Sequence, residues 1–141
     1  MKNRIITPTR PTTLTILYHF DPWGAGVGGI DSMIRNWVRF APEAVRLRIA
    51  GASADVGRQL KWYDCVFEGR DIRFMSLFPL SDPTTRSLVP HTLRFAVGLA
   101  RAGRQLDSDF VHFHRVEPAT AAIGWRGRRT LFFHADMEKV L

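Results

Sequence analysis

The constraint that narrows the fold most is a β-prone run, Leu14 to Phe20, that passes through a glycine-rich turn into an amphipathic helix. The turn reads Asp21-Pro22-Trp23-Gly24-Ala25-Gly26-Val27-Gly28-Gly29. After it, Ile30, Met33, Ile34, Trp37 and Val38 recur at helical spacing and share one face, with Arg35, Asn36 and Arg39 on the other. Asp31 falls in the first helical turn, where a negative charge complements the helix dipole, and Pro42 marks the end. Strand, glycine turn and helix together open an α/β unit.

The rest of the chain continues that alternation. A second strand spans Val45 to Ala50, with Val45, Leu47 and Ile49 alternating against Arg46 and Arg48. Two extended runs, Leu60 to Phe67 and Ile72 to Phe78, flank a turn at Glu68-Gly69-Arg70-Asp71 and predict a β-hairpin. A Pro/Ser/Asp/Thr loop, Pro79 to Arg86, leads into a long helix at about Leu88 to Leu106, with Leu93, Ala96, Val97 and Ala100 at helical spacing. Phe110 to His114 reads as a short buried strand, Glu117 to Gly124 as a short helix, and Arg129 to His134 as a last strand. The expected fold is α/β and Rossmann-like: a mostly parallel sheet with helices on both faces and a β-hairpin insertion. Residues 1–13 are expected to be a polar, Pro-containing tail and residues 14–141 a single domain.

Composition bounds the function. The chain has 141 residues, of which 45% are hydrophobic and 23% charged, the balance of an ordinary globular domain. No segment approaches the ~20 apolar residues of a membrane span, and the first residues lack the apolar core of a signal peptide. One cysteine, Cys65, permits no internal disulfide and no cysteine-based zinc site; it reads as a half-buried strand residue in a reducing, cytoplasmic setting. Twenty Lys and Arg against thirteen Asp and Glu give a net charge of +7, which favours anionic partners. The basic residues are scattered, with no zinc finger or aromatic-interleaved motif, so no specific nucleic-acid partner is expected. An anionic membrane surface remains compatible with the charge.

Two features carry candidate chemistry. Gly24-Ala25-Gly26-Val27-Gly28-Gly29 contains G-x-G-x-x-G, and glycines before a helix start let a backbone approach a phosphate. A dinucleotide site would also need an acidic residue at the end of the second strand, and Ile49-Ala50-Gly51 offers none. A P-loop is excluded, because Gly-Lys-Ser/Thr is missing. The second feature is histidine. His112 and His114 alternate on one strand face, and His134 ends the last strand, at the carboxyl edge where α/β proteins bind substrates. A histidine there can hydrogen-bond a hydroxyl or a phosphate. No carboxylate or cysteine completes a metal set with these histidines, so no metal is expected.

The strand leading into Gly28-Gly29-Ile30, the run Asp109-Phe110-Val111-His112-Phe113-His114, and the strand ending Phe132-Phe133-His134 together resemble the N-terminal, subfamily 4-like domain of retaining GT-B glycosyltransferases. The three motifs occur in family order across Leu14 to Asp136. The resemblance implies the acceptor-side part of an enzyme that moves a sugar from a nucleotide-sugar donor to an acceptor with retention, needing no further cofactor. It implies that Gly28 and Gly29 face donor phosphate and acceptor and that His134, the catalytic candidate, lines the cleft; His114 is a further candidate for binding substrate or phosphate. It also implies a donor-binding domain that these residues do not encode, so the chain is expected to transfer no sugar alone, and to pair with a second chain or self-associate. A peripheral position at the inner membrane face fits the charge. A non-catalytic basic α/β binding module and a nucleotide-binding oxidoreductase fragment are the alternatives.

Overall fold

A computed structural model describes residues 10–18, 21–24, 28–55, 57, 59–80, 88–114, 119–120, 124 and 128–131. Among the described residues six strands form one sheet: β1 (Thr12–Leu17), β2 (Val45–Ser53), β3 (Trp62–Phe67), β4 (Arg70–Pro79), β5 (Phe110–Phe113) and β6 (Arg128–Leu131). Their order is β3-β4-β2-β1-β5-β6. Every pairing is parallel except β3 with β4. Helix α1 (Gly29–Phe40) joins β1 to β2, and α2 (His91–Ala102), extended by a 3₁₀ turn at Gly103–Leu106, joins β4 to β5. Without β3, the order is that of a Rossmann-like half, and the α/β, mostly parallel reading holds.

Alternation along the strands divides the core into two layers. Ile16 and Tyr18 of the first strand segment, Leu47 and Ile49 of β2, and Ile72 and Phe74 of β4 pack with Ile34 and Val38 of α1. Leu17, Ala50, Met75, Leu77 and Val111 point to the opposite face and pack with Phe95, Leu99 and Ala102 of α2. Among the described residues α1 therefore covers one face and α2 the other. Each fully buried aliphatic side chain stabilises the fold by about 1.5–3 kcal/mol before entropy is charged against it.

Several boundaries differ from expectation for identifiable reasons. β1 starts two residues earlier, at Thr12, which lies opposite Val45, so the chain is already structured within the expected tail. β2 runs three residues further, to Ser53, beside the long β4, with a register shift at Gly51/Ala52. The hairpin turn is only Glu68-Gly69; Arg70 and Asp71 pair with Phe67 and Val66. Both turn residues have positive φ, 51° and 74°, the geometry of a two-residue type I′ loop. Helix α2 begins at His91, after Pro90, rather than at Leu88. Of the short helix expected at 117–124, Ala119 and Thr120 are helical and most of the remainder lies outside the described residues. The last strand begins at Arg128, and its expected end, through His134, lies outside them too. Among the described residues no helix is long and apolar enough to cross a membrane.

Helix α2 has two apolar stripes. Phe95, Gly98, Leu99 and Ala102 face the sheet, so the stripe of Leu93, Val97 and Ala100 points outward. Gly98 permits this choice: a Cβ there would lie 2.6 Å from the Leu77 carbonyl oxygen and 2.8 Å from its Cβ. We therefore expect Gly98→Ala to destabilise the fold by about 1–3 kcal/mol, although alanine suits a helix interior better by up to ~1 kcal/mol. Urea unfolding of the two proteins measures the difference, and an unchanged or raised midpoint would refute the close approach.

Candidate functional site

In an open parallel sheet the binding crevice lies where neighbouring strands feed connections to opposite faces. Here that point is between β1 and β5, because α1 leaves β1 on one face and α2 enters β5 on the other. Beyond the end of β1 a cavity of about 480 Å³ is lined by Tyr18, Asp21, Gly24, Gly28, Gly29, Ile30, Asp31 and Leu80. Both glycines singled out from the sequence line it.

Local chemistry builds this wall. Tyr18 extends β1 by one bond, its N–H donating to the Ala50 carbonyl at 2.9 Å. Asp21 organises the loop entry, since its carboxylate accepts from Trp23 N–H at 3.0 Å and its carbonyl from Gly24 N–H at 3.0 Å. Trp23 anchors that turn edge-on against Phe74 and Phe67, with ring centroids 4.9 and 5.6 Å away. Arg35 of α1 donates to the Pro22 carbonyl at 2.9 Å and so ties the same turn to the helix.

The helix start is already occupied by a carboxylate. Asp31 Oδ2 accepts from Gly28 N–H at 3.3 Å, and the Tyr18 hydroxyl donates to Asp31 Oδ1. Burial, reinforced by the bond to Asp31, raises the Tyr18 pKa and keeps its hydroxyl a neutral donor. Among the described residues lining the cavity, the charged ones are Asp21 and Asp31, both acidic. A phosphate group would meet like charge where a bare helix start would attract it. A hydroxyl would meet a strong acceptor.

Gly29 adds space. An added Cβ there has no heavy atom within 4 Å, and no positive φ is recorded for it, so neither packing nor backbone geometry demands glycine. The absent side chain leaves the cavity wall open to whatever approaches the first turn of α1.

The histidines behave differently from the glycines. His112 and His114 share a face as expected, with ring centroids 4.7 Å apart, and both are buried. His114 stands 6.1 Å from the Tyr18 ring, centroid to centroid, and 5.8 Å from Trp37. It backs the tyrosine and is not among the residues lining the cavity. His112 Nδ1 lies 2.8 Å from Thr130 Oγ1 on β6, and its ring packs edge-on to Trp37 at 4.4 Å. Burial pushes its pKa down to about 4. His134 lies outside the described residues. Among those described, no three His, Cys, Asp or Glu side chains are grouped as a metal site.

Asp109, first residue of the Asp-Phe-Val-His-Phe-His run, sits at the far, amino edge. It accepts from Thr13 N–H at 2.9 Å and from Arg10 at 2.6 Å, and the Thr13 bond, then Arg10, hold its pKa low. It fastens the start of β1 to β5. A larger hollow of about 1010 Å³ lies there, lined by Arg10, Arg46, Arg48, Asp109 and Arg128 among others. Arg10 pairs with Asp109 there, and Arg48 donates to Thr15 Oγ1 at 3.0 Å and to the Asp107 carbonyl at 2.6 Å, contacts that tie the strand starts to their connections. Size alone does not make it the site.

Sequence reading placed Asp31 only in the field of the helix dipole and left Tyr18 inside a strand. A tyrosine in the last residues of the first strand and an acid in the first helical turn were the available signals. No family model, no curated protein and no solved structure matches this chain.

His112 yields a pH prediction. Its folded pKa of about 4 lies below the ordinary 6.5, so between those values the unfolded chain binds the extra proton. Stability from this residue is complete above pH 6.5 and declines as pH falls towards 4, with a slope of up to about 1.4 kcal/mol per pH unit. Urea midpoints measured from pH 4.5 to 7 should rise with pH in the unaltered chain and rise less in His112→Gln. Equal slopes would mean that His112 takes up its proton in the folded state.

Proposed function

We propose that this chain is the acceptor-side, N-terminal domain of a glycosyltransferase that uses a nucleotide-sugar donor, and that its cavity holds a hydroxyl of the acceptor. The observation that carries the reading is the Tyr18–Asp31 pair beside the open flank of Gly29, at the carboxyl edge of a Rossmann-like sheet. The resemblance of Gly28-Gly29-Ile30 and of the β5 motif to GT-B enzymes supports the same assignment.

The chemistry asked of the pair is modest. An acceptor hydroxyl donates to the Asp31 carboxylate, which orients a lone pair of the hydroxyl oxygen towards the anomeric carbon of a donor. Tyr18 fixes the carboxylate by donating to its other oxygen, and the Gly28 N–H adds a third hold. Positioning of this kind lowers a barrier by pre-arranging the reacting groups. The donor, its diphosphate and the stabilisation of the leaving group belong to a second domain in this reading. The domain alone therefore transfers no sugar. Residue His134, which the resemblance places in the cleft, completes the acceptor side in the same reading.

One observation favours a second reading. Because β2 extends to Ser53, Asp55 follows two residues beyond it, close to where a dinucleotide-binding fold carries the acid that holds a ribose. Its carboxylate accepts from Gly57 N–H at 2.9 Å and so shapes its own turn. The Asp31 carboxylate at the start of α1 opposes the pyrophosphate that such a site requires, and we rank this reading second.

Nuclear magnetic resonance separates the two. Titrating the labelled chain with simple methyl hexosides should shift the amides of Gly28, Gly29 and Asp31, while uridine or guanosine diphosphate should leave them in place. Tyr18→Phe and Asp31→Asn should weaken the glycoside shifts several-fold. Gly29→Ala should hold or raise stability by up to ~1 kcal/mol and still weaken binding, since alanine is the better helix former but closes the flank. Shifts produced by the diphosphates and not by the glycosides would favour the dinucleotide reading.

A further inference from the structure

We propose that the outer face of α2 docks the protein on an anionic lipid surface. This stands on observations remote from the cavity and does not depend on the acceptor reading. Along α2 three apolar residues are exposed, Leu93 at 53%, Val97 at 49% and Ala100, beside the exposed His91 and Arg101. Leu88, 99% exposed, and Val89, 44% exposed, precede the helix and extend the apolar surface past its first turn.

Charge identifies the occupant. From Leu88 to Leu106 the sequence contains Arg94, Arg101 and Arg104 and no acidic residue. Arg101 and Arg104 are exposed, and helical spacing sets Arg94 and Arg101 along one border of the apolar stripe. Arg94 is held there, with its guanidinium over the Phe78 ring at 4.9 Å and donating to the Pro79 carbonyl. An apolar stripe bordered by arginines, on a chain of net charge +7, is the pattern of a helix lying in a membrane interface. Its aliphatic residues enter the acyl boundary while the arginines reach lipid phosphates, and the long arginine stems bridge the two depths.

Geometry speaks against a protein partner. Twelve residues give a helix about 18 Å long, and its exposed aliphatic side chains, Leu93, Val97 and Ala100, include no aromatic anchor. A stable protein interface needs about 800 Å² from each side, centred on large anchors in pockets. An apolar surface of this size suits a deformable lipid surface.

Co-sedimentation of the full chain with vesicles tests the proposal. Vesicles of phosphatidylcholine with one-third phosphatidylglycerol should bind the chain, and pure phosphatidylcholine vesicles should bind it at least tenfold more weakly. Leu93→Ser with Val97→Ser, and separately Arg101→Glu with Arg104→Glu, should each reduce binding at least tenfold with an unchanged circular dichroism spectrum. Leu93 and Val97 are half-exposed and the two arginines exposed, so a urea midpoint for each variant separates lost binding from lost stability. Native mass spectrometry accompanies the assay. No binding to anionic vesicles, equal binding by all variants, or a dimer that the Leu93/Val97 variant abolishes would each overturn the assignment.

Discussion

Strand β1 is paired in parallel on both sides, and the rest of the molecule follows from that constraint. It lies against β2 from Thr12 to Leu17 and against β5 from Leu14 to Leu17. Parallel neighbours cannot be joined by tight turns, so the chain must cross over the sheet to reach each of them. Right-handed crossovers to opposite sides of β1 place α1 on one face and α2 on the other. The cavity opens beyond the carboxyl end of β1, between the first turn of α1 and Leu80 after β4. Tyr18 is the residue that prolongs β1 into it. The position of the site is thus a property of connectivity, set before any side chain contributes chemistry.

How much of this was legible in the sequence depended on the range of the interactions involved. The face of α1 that carries Ile34 and Val38 was readable because its apolar residues repeat within a few turns. The carboxyl extension of β2 was not, because Ala50 to Ser53 lack alternation and are held as strand by the long β4 beside them. On α2 two apolar stripes of similar strength competed. Close approach at Gly98, a contact with Leu77 far away in the chain, decided which one turned inward. Tyr18 and Asp31 were invisible as a pair for the same reason, since they meet only once the strand and helix have packed. His112 and His114 pack inside the fold, His114 against Tyr18 and Trp37 and His112 against Trp37, contacts between elements that strand alternation alone does not reveal.

The β3–β4 turn shows how local strain is compensated. Glu68 adopts a φ of 51°, a conformation that asparagine, aspartate or glycine fills more easily. In return its side chain, 13% exposed, reaches back to α1 and meets Arg35 and Arg39, each at 2.6 Å. Those two arginines, Arg35 first, hold its carboxyl below the ordinary range. Arg35 also stacks over Phe67 at 5.2 Å, so the hairpin end is gripped through both charge and ring.

Because the same guanidinium holds the Pro22 carbonyl, one side chain spans the hairpin tip, the helix and the entry to the glycine loop. Regions tied in this way open and close as a unit rather than residue by residue. Anything that settles against the first turn of α1 therefore slows the breathing of the β3–β4 turn, which Arg35 joins to the glycine-loop entry. The Glu68–Gly69 tip becomes a remote gauge of occupancy: its amide hydrogens, which touch no ligand, exchange with solvent more slowly when the cleft is full.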